Sequence, residues 1–196
     1  SQPMGFYAPQ QLVRSAREHG VEVRAVDVVE SDWESTLERS VNGSPAVRLG
    51  MTLVKGLASD AAGRVLEARK AKPFVDVQDF AARARLGTKD LGALASSGAL
   101  TKLASHRHRA RWDVAGVERP TALLPQVRFV EGAPLLRRPT EGEDIAADYR
   151  HLGVSLGRHP LALLRPQLTA VGVSAARSVA ELAHGARVTA AGLVIT

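Results

Sequence analysis

The sequence predicts a mainly α fold, built of short helices joined by tight turns, with small strand elements near its ends. Three observations predict it. Of 196 residues, 45% are apolar but only 4% are aromatic, so the core is made of Leu, Val and Ala, which suits small helical packing units. Apolar residues through the middle of the chain recur at three- and four-residue spacing. Gly, Ser and Pro interrupt that periodicity at short intervals.

The elements follow in order. Pro9 suits the first position of a helix carrying Leu12, Val13 and Ala16, and Gly20 suits its left-handed end. Val21-Glu22-Val23-Arg24-Ala25 alternates as a half-buried strand does. Asn42-Gly43-Ser44-Pro45 is a turn, and residues 46–51 form a short strand leading into Leu53-Val54-Lys55-Gly56. A helix is expected from Ser59 to about Lys70, with Val65 and Leu66 on its buried face and Arg69 at the edge; Pro73 ends it. Asp76 and Asp79 are spaced as a capping pair, with Phe80 and Ala84 behind them. Thr88 caps a helix through Leu91 and Leu94, which Ser96-Ser97-Gly98 breaks. Leu100 then restarts a basic helix running towards Trp112. Residues 116–142 carry repeated Gly and Pro and read as a linker. Helical patterning returns from Glu143 through Ile145, Tyr149 and Leu152, again after Pro160, and once more around Val179, Leu182 and Ala183. Residues 187–195 read as a strand.

Cysteine is absent, which excludes disulfides and thiolate metal sites and fits a reducing cytoplasm. No apolar run reaches the ~18 residues of a membrane span, and no basic leader precedes an apolar stretch. The chain begins with Ser1 and ends inside the run Gly192-Leu193-Val194-Ile195-Thr196, so it is expected to be a fragment cut at both ends.

Charge is unevenly spread. Residues 1–45 hold four Lys+Arg and seven Asp+Glu, a balance of −3; residues 46–117 hold thirteen and six, +7; residues 118–196 hold nine and seven, +2. A confined basic field is the footprint of a phosphate-binding surface, although an Arg-rich solvated face gives the same count.

Inside the basic segment lie two helix-turn-helix pairs, a weak internal repeat. The first turn is Leu53-Val54-Lys55-Gly56-Leu57-Ala58-Ser59-Asp60, and the second is Leu94-Ala95-Ser96-Ser97-Gly98-Ala99-Leu100. In a helix-hairpin-helix, glycine lets the turn approach a phosphate and the following helix aims its amide-rich N-terminus at the same anion. Such contacts read the backbone, so they are salt-sensitive and blind to sequence. The candidate DNA-binding residues are Lys55, Gly56, Leu57, Ala58 and Ser59 in the first hairpin. Ser97, Gly98, Ala99 and Lys102 are the candidates in the second, with Arg107, Arg109 and Arg111 extending the basic surface. An ordinary helix–helix turn explains either hairpin alone; two in tandem within the one basic segment favour the phosphate reading.

Further segments resemble one family. Gln2-Pro3-Met4-Gly5-Phe6-Tyr7, Arg17-Glu18-His19-Gly20-Val21-Glu22-Val23 and Ser31-Asp32-Trp33-Glu34 resemble the end of the fingers domain of bacterial C-family polymerases. Arg48-Leu49-Gly50 to Val54-Lys55-Gly56-Leu57, and Ser97-Gly98-Ala99-Leu100, resemble that family's tandem helix-hairpin-helix domain. Leu152-Gly153-Val154-Ser155-Leu156-Gly157-Arg158-His159-Pro160-Leu161 resembles the approach to its OB domain. The Gln-Pro-Met-Gly-Phe-Tyr and Gly-Arg-His-Pro-Leu runs are closest to the error-prone, ImuC-type paralogue of the DNA polymerase III alpha subunit.

The resemblance implies a tandem helix-hairpin-helix unit flanked by a small α/β remnant of the fingers and a truncated OB-domain strand. Its boundaries would be 1–45 for the fingers, 46–117 for the hairpins, 118–142 for a linker, 143–185 for a helical connector and 186–196 for the strand. It further implies translesion DNA synthesis by a parent polymerase whose palm aspartates and Mg2+ lie upstream, leaving this fragment no catalytic residue. The implied partners are primer-template DNA, an inactive Y-family-like protein (ImuB) and a RecA-like accessory protein. Two departures stand out. Ala58 replaces a usual Gly, and would be strained if that position needs a positive φ. Gln126-Val127-Arg128-Phe129 lacks the aliphatic residue of a clamp-binding motif, so no direct sliding-clamp contact is expected.

Other residues read as structural. Asp27, Glu30, Asp32 and Glu34 form a surface acidic segment, not a metal site. His106 and His108, taken as alternate helix positions, point apart. His159 is a turn residue, and Trp33 and Trp112 are packing residues. The alternative function is a protein-interaction module that docks an accessory subunit, with incidental basicity. A hairpin region of another repair enzyme fits 46–117 but not the flanks.

Overall fold

The computed structural model describes residues 7–117 and 135–192. Residues 2–6, the candidate Gln126–Phe129 segment and the end of the expected last strand lie outside the described residues. The chain forms two compact units, Ser1–Leu156 and Gly157–Thr196.

The first unit opens with α1 (Pro9–Glu18), which Pro9 starts and which Gly20 leaves at φ +79°. Three short strands follow: β1 (Glu22–Arg24), β2 (Thr36–Arg39) and β3 (Pro45–Arg48). The sheet order is β1-β3-β2, with β3 parallel to β1 and antiparallel to β2. β2 was not visible in the pattern. Its Leu37 is 78% exposed, so the alternation that marks a strand does not point inward there.

A 3-10 turn (Met51–Leu53) leads to α2 (Ser59–Ala71), α3 (Val77–Arg83) and α4 (Thr88–Ser97). The Asp76/Asp79 pair caps α3 as expected: Asp76 Oδ1 accepts from Asp79 N at 2.7 Å, and Asp79 Oδ2 accepts from Val75 N at 3.1 Å. The cap of α4 is Gly87, one residue before the expected Thr88. The single basic helix expected from Leu100 is split into α5 (Thr101–Ala104) and α6 (Arg107–Ala115). Ser105, at φ +64°, breaks it, and His106 restarts it by accepting from Arg109 N. Finally α7 (Glu141–His151) begins inside the expected linker. Thr140 and Glu143 form a capping box, and Glu143 is held well below the usual carboxylate range first by Arg137, then by Thr140.

One core serves this unit. Met51, Val65, Phe80, Leu94 and Leu100 are fully buried in it, and Leu152 and Val154 close it from beyond α7. Phe74 meets Phe80 edge-on at 5.0 Å, with the Arg83 guanidinium over its ring.

The centre of the helical packing is a guanidinium. Arg107 has a side chain only 10% exposed. It reaches Asp144 and Asp148 of α7, the latter at 2.5 Å, and donates to Ser97 O at 3.2 Å. It lies against Gly98, where a Cβ would fall 2.9 Å from Arg107 Nη2. Gly98 itself sits at φ +83°, ending α4 with Ala99 N donating to Leu94 O.

The second unit holds α8 (Pro160–Ala170), α9 (Ala176–Val179) and a two-stranded parallel pair, β4 (Val173–Ser174) with β5 (Thr189–Ala190). His159 caps α8, its Nδ1 accepting from Leu161 N at 3.3 Å.

Two glycine substitutions should separate these constraints. Gly98→Ala demands both a left-handed Cβ and displacement of Arg107, so it should lower unfolding free energy by about 2 kcal/mol. Gly63 lies exposed within α2, where a Cβ meets nothing within 4 Å. Gly63→Ala should raise stability by about 0.5–1 kcal/mol through helix propensity. Urea midpoints shifting in opposite directions would bear out both assignments.

Candidate nucleic-acid interface

The first hairpin is open to solvent. A turn runs from Val54 to Leu57, with Leu57 N donating to Val54 O at 3.2 Å. Gly56 holds φ +86°, and a Cβ there would meet nothing within 4 Å. Lys55, Gly56, Ala58 and Ser59 are exposed, while Leu57 is buried and anchors the turn. Ala58 is extended, at φ −79° and ψ 143°, as the cap of α2. The strain considered for Ala58 is therefore absent, because the left-handed residue of this turn is Gly56.

The expected second hairpin is an interior turn. Ser97 and Ala99 are buried, at 3% and 0%, and the Arg107 guanidinium covers Gly98. Ala99 O accepts from Val28 N, which ties the turn to the loop after β1. Lys102 pairs with Glu30, and Arg109 Nε bonds Asp113 at 2.6 Å. Of the proposed basic extension, only Arg111 is both exposed and without a side-chain hydrogen bond or ion pair among the described residues.

The geometric repeat of the first hairpin lies elsewhere, between α3 and α4. There Arg85 holds φ +50°, matching Gly56. Leu86 is 8% exposed, matching Leu57 at 9%. Gly87, at φ −80° and ψ 164°, caps α4 as Ala58 caps α2. Leu86 N donates to Ala81 O at 3.1 Å and Arg85 N to Ala82 O at 3.3 Å, the pair of bonds that ends a helix in a left-handed residue. The two turns adjoin. Ala58 N donates to Asp90 of α4 at 3.4 Å, and Arg64 of α2 donates to Ala84 O at 3.1 Å. Arg85 and Lys89 are exposed and take part in no ion pair or hydrogen bond among the described residues. Sequence reasoning missed this hairpin because its left-handed position carries Arg instead of Gly. The signal available was the recurrence of Leu two residues before a helix start.

Most other cations hold the fold together. Arg69 donates to Ser31 O and Asp32, both at 2.8 Å; Arg83 donates to Lys72 O at 2.6 Å; and Arg48 pairs with Glu30 and Glu38. The acidic segment after β1 is thus the counter-charge of the basic middle. Asp27 is 7% exposed, and burial pushes its carboxyl up. His106 is a cap residue outside α6, so the helical spacing assumed for it does not apply; its ring lies 6.2 Å from that of His108. Trp33 packs on the core, whereas Trp112 is 47% exposed. No group of three or more potential metal ligands gathers among the described residues. No described helix is long and apolar enough to cross a membrane.

The helix-hairpin-helix motif matches residues 20–110 of the chain. Over its whole length the chain is 52% identical to the error-prone DNA polymerase of Alkalilimnicola ehrlichii, covering 19% of that protein. It is 46% identical to the error-prone DNA polymerase of Methylococcus capsulatus and 44% identical to that of Pseudomonas aeruginosa, again over the whole chain, covering 20% and 19% of each. The chain spans about a fifth of the length of these curated relatives.

Arg85 offers a direct check on the second hairpin. A non-glycine residue held left-handed costs about 1–2 kcal/mol, part of which glycine's greater chain entropy offsets. Arg85→Gly should therefore raise unfolding free energy by about 0.5–1 kcal/mol. A loss of stability in chemical denaturation would show that the turn is not strained as described.

Proposed function

We propose that this chain is the part of an error-prone DNA polymerase that holds duplex DNA by its backbone, without reading sequence. The observation that carries the proposal is the adjoining pair of hairpins. Each has a left-handed residue, a buried Leu, an extended cap and an exposed helix start. Lys55 flanks one, and Arg85 and Lys89 flank the other. Two such turns side by side can present amides and cations to phosphates across a groove. The phosphate contacts are proposed at Lys55, Gly56, Ser59, Arg85, Lys89 and Arg111. Ser97, Gly98, Ala99, Lys102 and Arg107 support the frame instead.

The similarity to error-prone polymerases along the whole chain supports placing this grip within translesion synthesis. In that proposal residues 1–45 end the fingers, residues 118–185 connect the hairpins to the OB domain, and residues 186–196 begin it. Catalysis belongs to a palm outside this chain. Mg2+ finds no candidate donor set among the described residues. The Y-family-like and RecA-like partners enter through the family resemblance.

Fluorescence anisotropy with a short duplex tests the grip. Binding should be micromolar or weaker near physiological salt, on the order of non-specific association, and should weaken steeply as salt rises. Arg85→Ala and Lys89→Ala should each weaken binding equally for unrelated sequences and lower the salt slope by about one. Lys102→Ala should leave affinity unchanged, because its ammonium faces Glu30 and Asp27. No duplex binding at low salt would end the proposal.

A further inference from the structure

The first hairpin is completed by an element outside the matched motif. Lys55 N donates to His151 O at 2.9 Å, and Lys55 Nζ donates to Tyr149 O at 3.3 Å. Gly153, at φ +76°, brings the chain back so that a Cβ there would lie 3.8 Å from Lys55 Cε and Nζ. The C-terminal end of α7 is therefore packed against the open turn.

That end gathers positive charge. Arg150 of α7 and Arg111 of α6 are exposed, and neither has an ion pair or hydrogen bond among the described residues. Three carboxylates of α7 are engaged elsewhere. Asp144 and Asp148 hold Arg107, Asp148 also accepts from Ser155 Oγ at 2.7 Å, and Glu143 holds Arg137. The ring of His151 registers the result. Burial first, then Arg150, Arg107, Arg111 and Lys55, keep it below the ordinary imidazole value. Arg107 is neutralised by its two aspartates, and Arg111 follows it one turn along the α6 helix that they tie to α7. Arg150, Arg111 and Lys55 are thus left without a carboxylate partner among the described residues.

We propose that the C-terminal end of α7, through Arg150 together with Arg111 of α6, is a further contact for a backbone phosphate of the duplex held by the first hairpin. The proposal rests on the duplex-binding reading and extends it beyond residues 20–110. The cations are ones that the fold does not consume, and the anion they suit is a phosphodiester, bound as a point of charge without base contacts. A phosphate there would answer the field that depresses His151, so its pKa would rise on binding. Duplex binding would then take up a proton and tighten as pH falls through the imidazole range.

The test uses the whole chain. The double variant Arg111→Ala/Arg150→Ala should bind a short duplex about tenfold more weakly at low salt, with a salt slope lower by about two. Arg111→Lys/Arg150→Lys should recover most of the loss, since a point charge suffices at a phosphate. The urea midpoint should stay unchanged, because both side chains are exposed. In NMR titrations of the wild-type chain, adding duplex should raise the His151 pKa. Wild-type affinity and slope in the double variant would overturn the inference and remove Arg111 from the proposed contacts, while leaving the two hairpins themselves standing. A His151 response to inorganic phosphate but not to duplex would also overturn it, marking a free-anion site. If the wild-type chain fails to bind duplex at low salt, the underlying reading fails first.

Discussion

The packing of the first unit depends on one buried cation. Arg107 lies flat on Gly98, bonds the end of α4 at Ser97 O, and is held from the other side by Asp144 and Asp148. Its Nε is the one buried side-chain donor without an acceptor among the described residues. Such an ion cluster is not retained for net stability alone, since desolvation offsets much of its Coulomb gain. What it does is fix geometry. A Cβ at residue 98 would press on the Arg107 guanidinium from a left-handed backbone, and α7 cannot dock in another register without stranding a guanidinium. Because α7 also supplies the carbonyls that receive Lys55, the same cluster sets where the open hairpin sits.

Charge separated along the chain is brought together by the fold. The segment with a balance of −3 supplies Glu30, Asp32 and Glu38, which pair with Arg48, Lys102 and Arg69 from the segment with +7. A basic count alone therefore overstates the binding surface. Among the described residues, the open cations of that segment include Lys55 beside Gly56, Lys72 after α2, Arg85 and Lys89 around Gly87, and Arg111 on α6. These are few, and each is exposed, so their attraction for a polyanion is screened by salt. A grip made of such contacts would release and re-form along a duplex without loosening the core, since none of its cations is in an ion pair among the described residues.

Much of the fold was legible where local chemistry decides it. The mainly α class, the Pro9 start, the Asp76–Asp79 cap and the Gly56 turn all follow from residues adjacent in sequence. What was not legible depends on partners distant in sequence. Gly98 carries the correct local signal for a hairpin, and it is indeed left-handed. Only Arg107, nine residues later and anchored in α7, decides that this turn faces inward. Arg85 carries no local signal, because a left-handed residue is normally sought at Gly or Asn. The helix expected through residues 100–112 was broken at Ser105, a position whose composition favours no break. Ala58 was suspected on a family pattern, and its extended backbone removes the objection without any compensating change.

The limits of the motif and the limits of the working surface do not coincide. The motif match ends at Ala110, one turn into α6. The hairpin it contains is nonetheless finished by Tyr149 and His151, and its packing is set by Asp144 and Asp148. A helix C-terminus carries partial negative charge, so placing one against Lys55 steadies the lysine stem while leaving its charge unpaired by any carboxylate. That arrangement keeps a cation exposed beside the turn at little electrostatic cost. It also means that shifting α7 would move Lys55, Arg111 and Arg150 relative to one another. The strength of the proposed grip would thus be tied to the docking of one helix, and through Arg107 to the glycine on which that guanidinium rests.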